Sequence, residues 1–217
     1  MLAAAGFNPQ AAQQTAAQRD QDCIRKALSG DRGAFADLAL AWQDRIFNAL
    51  RKMTGNEQDA ADLTQETFLR ALSGLASFRN ESSAYTWLFR IAMNLAASRH
   101  RQLVRRKTVQ ESQLRTANAD GVERPGIFDT QRSAGEAPEC SAEKQERNQV
   151  VLAALGRLNE EQRKLLVMRD IEQIDYQQIA EMLNVPLGTL KSRLFRARLA
   201  LREELKGYFE AHETVTP

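Results

Sequence analysis

The stretch GTLKSRLFRAR, from Gly188 to Arg198, sets Lys191, Ser192, Arg193 and Arg196 directly behind Gly188 and Thr189. Guanidinium and ammonium donors at that density suit phosphate oxygens and guanine edges, where a good bidentate pair discriminates by about 1–3 kcal/mol. A helix opening with Gly188 and Thr189 leaves room for a phosphate beside its first N–H groups. From Leu187 to Arg202 the chain carries Lys191, Arg193, Arg196, Arg198 and Arg202 with no acid. From Tyr85 to Lys107 it carries Arg90, Arg99, Arg101, Arg105, Arg106 and Lys107, again with no acid. Between these islands, Thr108 to Glu146 holds eight acids and four bases. Two basic surfaces joined by an acidic tether suggest one polyanion held at two places. The plain alternative for either island is a solvated helix face. Within the second, Lys191 and Arg193 are expected to face bases, and Arg196 and Arg198 to lean toward backbone.

The elements that must position these residues are all helical. Asp175 can cap a helix from Tyr176 to about Leu183 by accepting from first-turn N–H groups. Asn184 and Pro186 end it, and the chain restarts at Leu187 or Gly188. Ile179, Leu183 and Leu190 then meet between two crossing helices, with Leu194 and Ala197 also inward. A helix-turn-helix has this organisation, its second helix entering the major groove. Upstream, residues 22–54 place Phe35, Leu38, Trp42, Ile46, Phe47 and Leu50 on one face, after a turn at GDRGAF. The chain breaks at Gly55 and Asn56. A second helix carries Ala60, Leu63, Thr67, Ala71 and Leu75 as an apolar stripe widened by Phe68 and Leu72. After SFRNESSA, a third runs from about Tyr85 past Arg99 with Trp87, Leu88, Ile91, Ala92 and Leu95.

The reading is therefore all-α: two small helical domains joined by a flexible linker. The boundaries are a disordered tail at 1–21, a first domain at 22–102, an acidic linker at 103–140, a helix-turn-helix domain at 141–210 and a short tail at 211–217. The linker holds Gly, Pro and small polar residues with Phe128 its only aromatic, too little apolar surface to offset ordering entropy. At 217 residues, each domain has enough chain to bury a core. No apolar run approaches the roughly 20 residues of a membrane span. The start has no basic residue before Arg19 and fails as a secretory signal. Two isolated cysteines, Cys23 and Cys140, and two histidines, His100 and His212, supply no metal, disulfide or nucleophilic pattern. No metal, cofactor or small-molecule substrate is expected, and a reducing cytoplasm fits best.

With DAADLTQETFLRAL, FRNESSAYTWLFRIAMNLAASRHR and LLVMRDIEQIDYQQIAEMLNVPLGTLKSRLFRARLALREEL in view, the chain resembles the extracytoplasmic-function sigma factors, the smallest bacterial sigma subunits of RNA polymerase. The likeness covers roughly Asp22–Gln102 and Ser141–Lys206. It implies that the first domain binds the −10 promoter element and aids melting, and the second binds the −35 element. It also implies that Asp62, Gln65, Glu66 and Arg70 meet the clamp coiled coil of the largest core polymerase subunit. Asn80, Glu81, Ser82 and Ser83 would form a pocket for a base extruded from the melted strand, an extrusion costing a few kcal/mol of unstacking. Tyr85, Trp87 and Phe89 are candidates to stack on unpaired bases, with core packing preferred for Trp87 and Tyr85 the more open. Arg90, Asn94, Arg99 and Arg101 would line the −10 strand. The −35 contacts would be Gly188, Thr189, Lys191, Ser192, Arg193 and Arg196. An anti-sigma factor, often membrane-bound in the family, is the implied regulator, holding the chain at the inner membrane face.

Where members commonly show EGLSYEEIA this chain has EQIDYQQIA, so Gln173 stands where a Gly would suit a left-handed turn. The bend before the helix-turn-helix is therefore expected to be built differently. The alanine- and glutamine-rich start lies outside the family pattern and receives no role. A linker of about 39 residues spans roughly 35 Å, and elements about 16–18 base pairs apart lie roughly 55–60 Å apart, within its contour. Two other readings stay open. A stand-alone helix-turn-helix repressor or activator leaves the first domain unemployed. A helical protein that exists to be sequestered shades into the sigma reading.

Overall fold

In the computed structural model, residues 9–115 and 142–213 are described. All elements among them are helical: α1 Pro9–Leu28, α2 Arg32–Thr54, α3 Glu57–Gly74, α4 Ala84–Arg115, α5 Ala142–Arg157, α6 Glu160–Leu166, α7 Tyr176–Leu183 and α8 Leu187–Glu213. Most of the expected linker, with Cys140, lies outside the described residues, as do 1–8 and 214–217. Two boundaries differ from expectation. Residues 103–115 continue α4, and the segment expected as a loose tail is helical from Pro9. Asp20 explains why α1 docks: it is 4% exposed and accepts from Trp42 Nε1 at 2.9 Å, with Arg19 beside it at 3.1 Å.

Local chemistry sets the breaks. Asp31 caps α2 by accepting from the Gly33 and Ala34 amides, and Gly55 closes it at φ +68°. Asn56 caps α3 through the Asp59 amide. These turns let α2, α3 and α4 fold back so that Phe35, Leu38, Ile46, Leu50, Leu63, Leu88 and Phe89 share one core. Phe89, a candidate stacking residue, is wholly buried there. Trp87 is half-buried against Phe78, ring centroids 5.1 Å apart.

The second domain packs α5 to α8 around Leu155, Leu165, Leu166, Met168, Ile179, Leu190 and Leu194. Arg163 is nearly buried and donates to the carbonyls of Leu155, Gly156 and Leu158, the open end of α5. Burial lowers its pKa, yet arginine stays charged. Asp175 caps α7 through the Gln177 amide at 2.7 Å, and Asn184 ends it at φ +51°.

Between α6 and α7 the chain makes one π-turn, Val167–Ile171, closed by a Glu172 N–H bond to the Val167 carbonyl. Gln173 follows at φ +56°. The left-handed bend that a glycine would make is thus made here by glutamine. Together the two irregularities aim Glu172 at the first domain.

There Glu172 is 6% exposed; Arg45 Nε donates to its carboxylate at 2.9 Å and the Tyr85 hydroxyl donates to the same oxygen. Arg45 NH2 reaches the Glu172 carbonyl, and its guanidinium lies 3.9 Å from the centre of the Tyr85 ring. Arg163 adds a bond to the Met53 carbonyl, and His100 lies 3.5 Å from Glu160. Tyr85, expected to be open, is therefore buried by contact between the domains.

Left-handed backbone costs a side chain about 1–2 kcal/mol, less the entropy a glycine loses on folding. Gln173→Gly is expected to raise the unfolding free energy by about 0.5 kcal/mol, and Gln173→Val to lower it by at least about 1 kcal/mol, in urea titrations. Burial, then the bond to Glu172, raises the Tyr85 pKa above its ordinary 10.0. A proton held more tightly in the folded chain stabilises it fully below about pH 10, and that stability is lost as pH climbs toward the folded value. Urea midpoints should fall between about pH 9 and about pH 11, less steeply in Tyr85→Phe, which has no phenol proton to lose.

Candidate nucleic-acid and polymerase interfaces

Three exposed surfaces carry the residues singled out from the sequence. On α8, Lys191, Ser192 and Arg196 are exposed over an arc of about 140° counted from Lys191, and half-buried Thr189 lies just beyond its Arg196 end. A Cβ on Gly188 would meet nothing within 4 Å, so the approach to the start of α8 is open. Ser192 donates to the Thr189 carbonyl at 2.9 Å. Arg193 is placed differently. It sits about 160° around the helix from Lys191 and pairs with Glu161 of α6, so the two do not share a face. Arg198 is held in a fork by Asp170, its Nε at 3.0 Å, which raises its pKa further.

Phe195, 63% exposed, falls four residues after Lys191, within the same arc and about 40° from Lys191. The sequence reading passed over it, although the spacing alone places it with Lys191 rather than with the inward Leu190 and Leu194. An exposed aromatic among donors can touch thymine methyl groups.

On α4, Arg90, Asn94, Arg101 and Arg105 are exposed and lie within about 60° of arc. Among the described residues, Arg90 has no ion pair, and Arg101 donates to Ser98 at 3.2 Å. Arg99 lies about 180° from Arg90 and pairs with Asp59 of α3 at 3.1 Å, so it does not belong to this stripe. Beside the stripe, the loop of Asn80, Glu81, Ser82 and Ser83 lines a cavity of about 380 Å³. Asn80 takes φ +58°, and Ser83 braces the start of α4 through Thr86. Ala17, Asp20 and Gln21 of α1 form another wall, and Gln178 of α7 a third. The segment given no role in the sequence reading thus shapes the pocket. Its only sequence signal was an acid, Asp20, of a kind usually solvated.

On α3, Asp62 and Gln65 are exposed, and Glu66 pairs with Arg70 at 2.6 Å. Leu69, 66% exposed, shares their arc and Leu72, 47% exposed, borders it. Leu72 was expected to widen the core stripe; it faces outward instead. A polar rim around two bare leucines is the composition of a protein-docking surface.

A further cleft of about 550 Å³ opens between the domains, lined by Arg45, Asn48, Arg51 and Lys52 of α2, by α5, and by Glu172. Lys52 has a lowered pKa, chiefly from burial, with Arg51 and Arg45 adding repulsion against the pull of Glu172. Arg51 Nε is buried with no hydrogen-bond partner among the described residues.

Comparison with known proteins places both halves. Residues 38–106 match the family model "Sigma-70 region 2" and residues 148–201 match "Sigma-70, region 4". The chain is 32% identical to the RNA polymerase sigma-H factor of Pseudomonas aeruginosa, over 87% of this chain and 95% of that one. It is likewise 32% identical to the ECF RNA polymerase sigma factor SigW of Bacillus subtilis, over 84% and 95%. Among solved structures, the sigma factor RpoE of Bartonella quintana, in complex with the anti-sigma factor NepR, is 26% identical with a TM-score of 0.57, covering 79% of this chain and 96% of that one. CnrH, solved with the cytosolic domain of CnrY, shares the fold at a TM-score of 0.59 and 22% identity, over 87% and 98%. Region 2 holds the loop pocket, the α4 stripe and the α3 face, region 4 holds the α8 face, and the chain belongs to the extracytoplasmic-function sigma factors of the sigma-70 family.

Proposed function

We propose that this initiation factor divides its work among the three exposed surfaces. The α3 face, Asp62, Gln65, Glu66, Arg70 and Leu69, docks the clamp coiled coil of core RNA polymerase. The loop cavity takes a base extruded from the melted −10 strand, and Arg90, Asn94 and Arg101 follow that strand's backbone. Lys191, Ser192, Phe195 and Arg196 read the −35 element. Arg193 and Arg198 steady the recognition helix through Glu161 and Asp170. The chain carries no catalysis of its own; nucleotide addition and its magnesium belong to the polymerase.

The observation that carries this reading is the polar cavity at Asn80–Ser83 opening beside an acid-free stripe of exposed arginines. Such a pair can receive a base and grip its backbone at once. The similar sigma factor RpoE, solved with the anti-sigma factor NepR, supports an anti-sigma factor as the regulator of this chain too. The region 2 and region 4 matches support a cytoplasmic site of action, and a membrane-bound anti-sigma factor would hold the chain at the inner membrane face. Among the described residues no helix is long and apolar enough to cross a membrane.

Run-off transcription with core polymerase tests the whole assignment, on promoters found by mapping transcripts that rise on overexpression. The protein should program core for those promoters; failure to bind core ends the reading. Leu69→Ser should weaken core binding about tenfold or more with an unchanged melting temperature, because it removes an exposed apolar contact and no core packing. Arg196→Ala should cost about 1–3 kcal/mol on duplex promoters and nothing on pre-melted templates lacking the −35 element. Asn80→Ala should show the reverse dependence. Arg193→Ala should weaken all −35 sequences alike, and a loss confined to one base position would instead put Arg193 on a base.

A further inference from the structure

The contact between the domains uses groups with a second employment. Arg45 offers a guanidinium stacked over the Tyr85 ring, with Trp42 5.9 Å away on its other neighbour and the Tyr85 hydroxyl alongside. A planar cation, a hydroxyl donor and aromatic rings are what a single-stranded nucleic acid asks of a protein, and here Trp42 is half-buried and Tyr85 buried while the domains are in contact. Arg45, Arg51 and Lys52 line the adjoining cleft, where Glu172 is the one carboxylate among the described lining residues, Asp20 being engaged at Trp42, and Arg51 Nε lacks a partner among the described residues. The set is under-compensated, so it favours more negative charge than it now holds.

Burying a carboxylate is costly unless it is paired, and Glu172 takes its ion pair and its hydroxyl donor from the other domain. The π-turn and Gln173 aim it there. The same docking sets Gln178 against the cavity of Asn80–Ser83. The second domain therefore covers both the base pocket and the neighbouring cationic and aromatic patch. On a promoter the two domains must part, because their elements lie roughly 55–60 Å apart along the duplex.

We propose that Glu172 is an internal stand-in for a DNA phosphate: it occupies a single-strand phosphate site made by Arg45 and the Tyr85 hydroxyl, and holds the free chain in a closed form that melted DNA opens by displacing it. The proposal rests on the promoter-binding reading and adds to it a site and its internal competitor. Closure and single-strand binding then exclude one another, and apparent affinity is reduced by the fraction of chain that is open.

The test uses the free full-length chain, small-angle X-ray scattering, and fluorescence anisotropy with a labelled single-stranded DNA of about 20 nucleotides across a KCl series. Glu172→Gln keeps the shape and removes the charge. It should enlarge the radius of gyration and tighten single-strand binding by about tenfold, with a steeper salt dependence. Arg45→Ala should enlarge the radius equally and give no gain in binding, because it breaks the lock and the phosphate site together. Adding the DNA to the wild-type chain should expand it, a measurement that needs no variant. If Glu172→Gln neither expands nor binds more tightly, or if the DNA leaves the wild-type radius unchanged, there is no lock. If Arg45→Ala gains as much as Glu172→Gln, the phosphate site is elsewhere and the proposal is overturned. Either result, beside a wild-type chain that still programs core polymerase in run-off, removes this inference and leaves the sigma-factor reading standing.

Discussion

A carboxylate withdrawn from water must find compensating charge, and in this chain Glu172 finds it across a domain boundary. The Arg45 guanidinium and Tyr85 hydroxyl that satisfy it belong to the region 2 core, where Tyr85 packs on Phe89 at 5.8 Å and on Trp42 at 5.1 Å. Trp42 in turn holds Asp20 on α1. One series of polar and aromatic contacts thus runs from the N-terminal helix through α2 and α4 to the turn before the helix-turn-helix. Arg163, donating to the Met53 carbonyl, and His100, 3.5 Å from Glu160, are further ties between the domains. The buried apolar residues of the two domains also join in one continuous cluster, so the polar ties sit at the edge of an apolar contact.

The basic residues divide by what they face. Arg193, Arg198 and Arg99 each meet a carboxylate on a neighbouring helix, whereas Arg90 meets none among the described residues. An exposed ion pair adds little stability, typically below about 1 kcal/mol, so its value here is positional. It fixes where a helix lies and removes its cation from competition for phosphate. Charge along the sequence overstates the nucleic-acid surface for this reason. The acid-free runs in α4 and α8 include residues neutralised in space by acids from α3, α6 and the π-turn after it.

Much of the fold was legible because the signals were local. Asp31, Asn56, Asp175 and Asn184 sit at helix ends where their side chains or backbone angles act on amides and carbonyls a few residues away. Periodicity found Leu38, Ile46, Leu63 and Leu88 for the same reason: each helix shows its apolar stripe without reference to its neighbours. What periodicity does not carry is which helix covers which. Tyr85 adjoins a loop and, with Phe89, was a candidate to stack on bases, but both are buried by elements distant in sequence. Leu72 looked inward because it lies one step from Ala71, yet among the described residues no helix covers that flank. The pocket loop was located from a motif, but its far wall on α1 depends on a contact between Asp20 and Trp42 that no spacing rule contains.

Gln173 shows how far local rules reach when the tertiary structure opposes them. Glutamine resists left-handed backbone, and composition alone argues for a different bend. The bend is nevertheless made at φ +56°, with Ile174 buried on one side and Glu172 on the other. Burying those two neighbours on different domains requires the chain to reverse within one residue. Apolar burial of a side chain such as isoleucine is worth about 2 kcal/mol, comparable to or larger than the backbone cost, so the geometry survives the substitution. The bend is thus dictated by what its flanks bury, and glycine is only its cheapest occupant. A family motif read as a list of residues misses that ordering of causes, whereas the energies of the flanking side chains recover it.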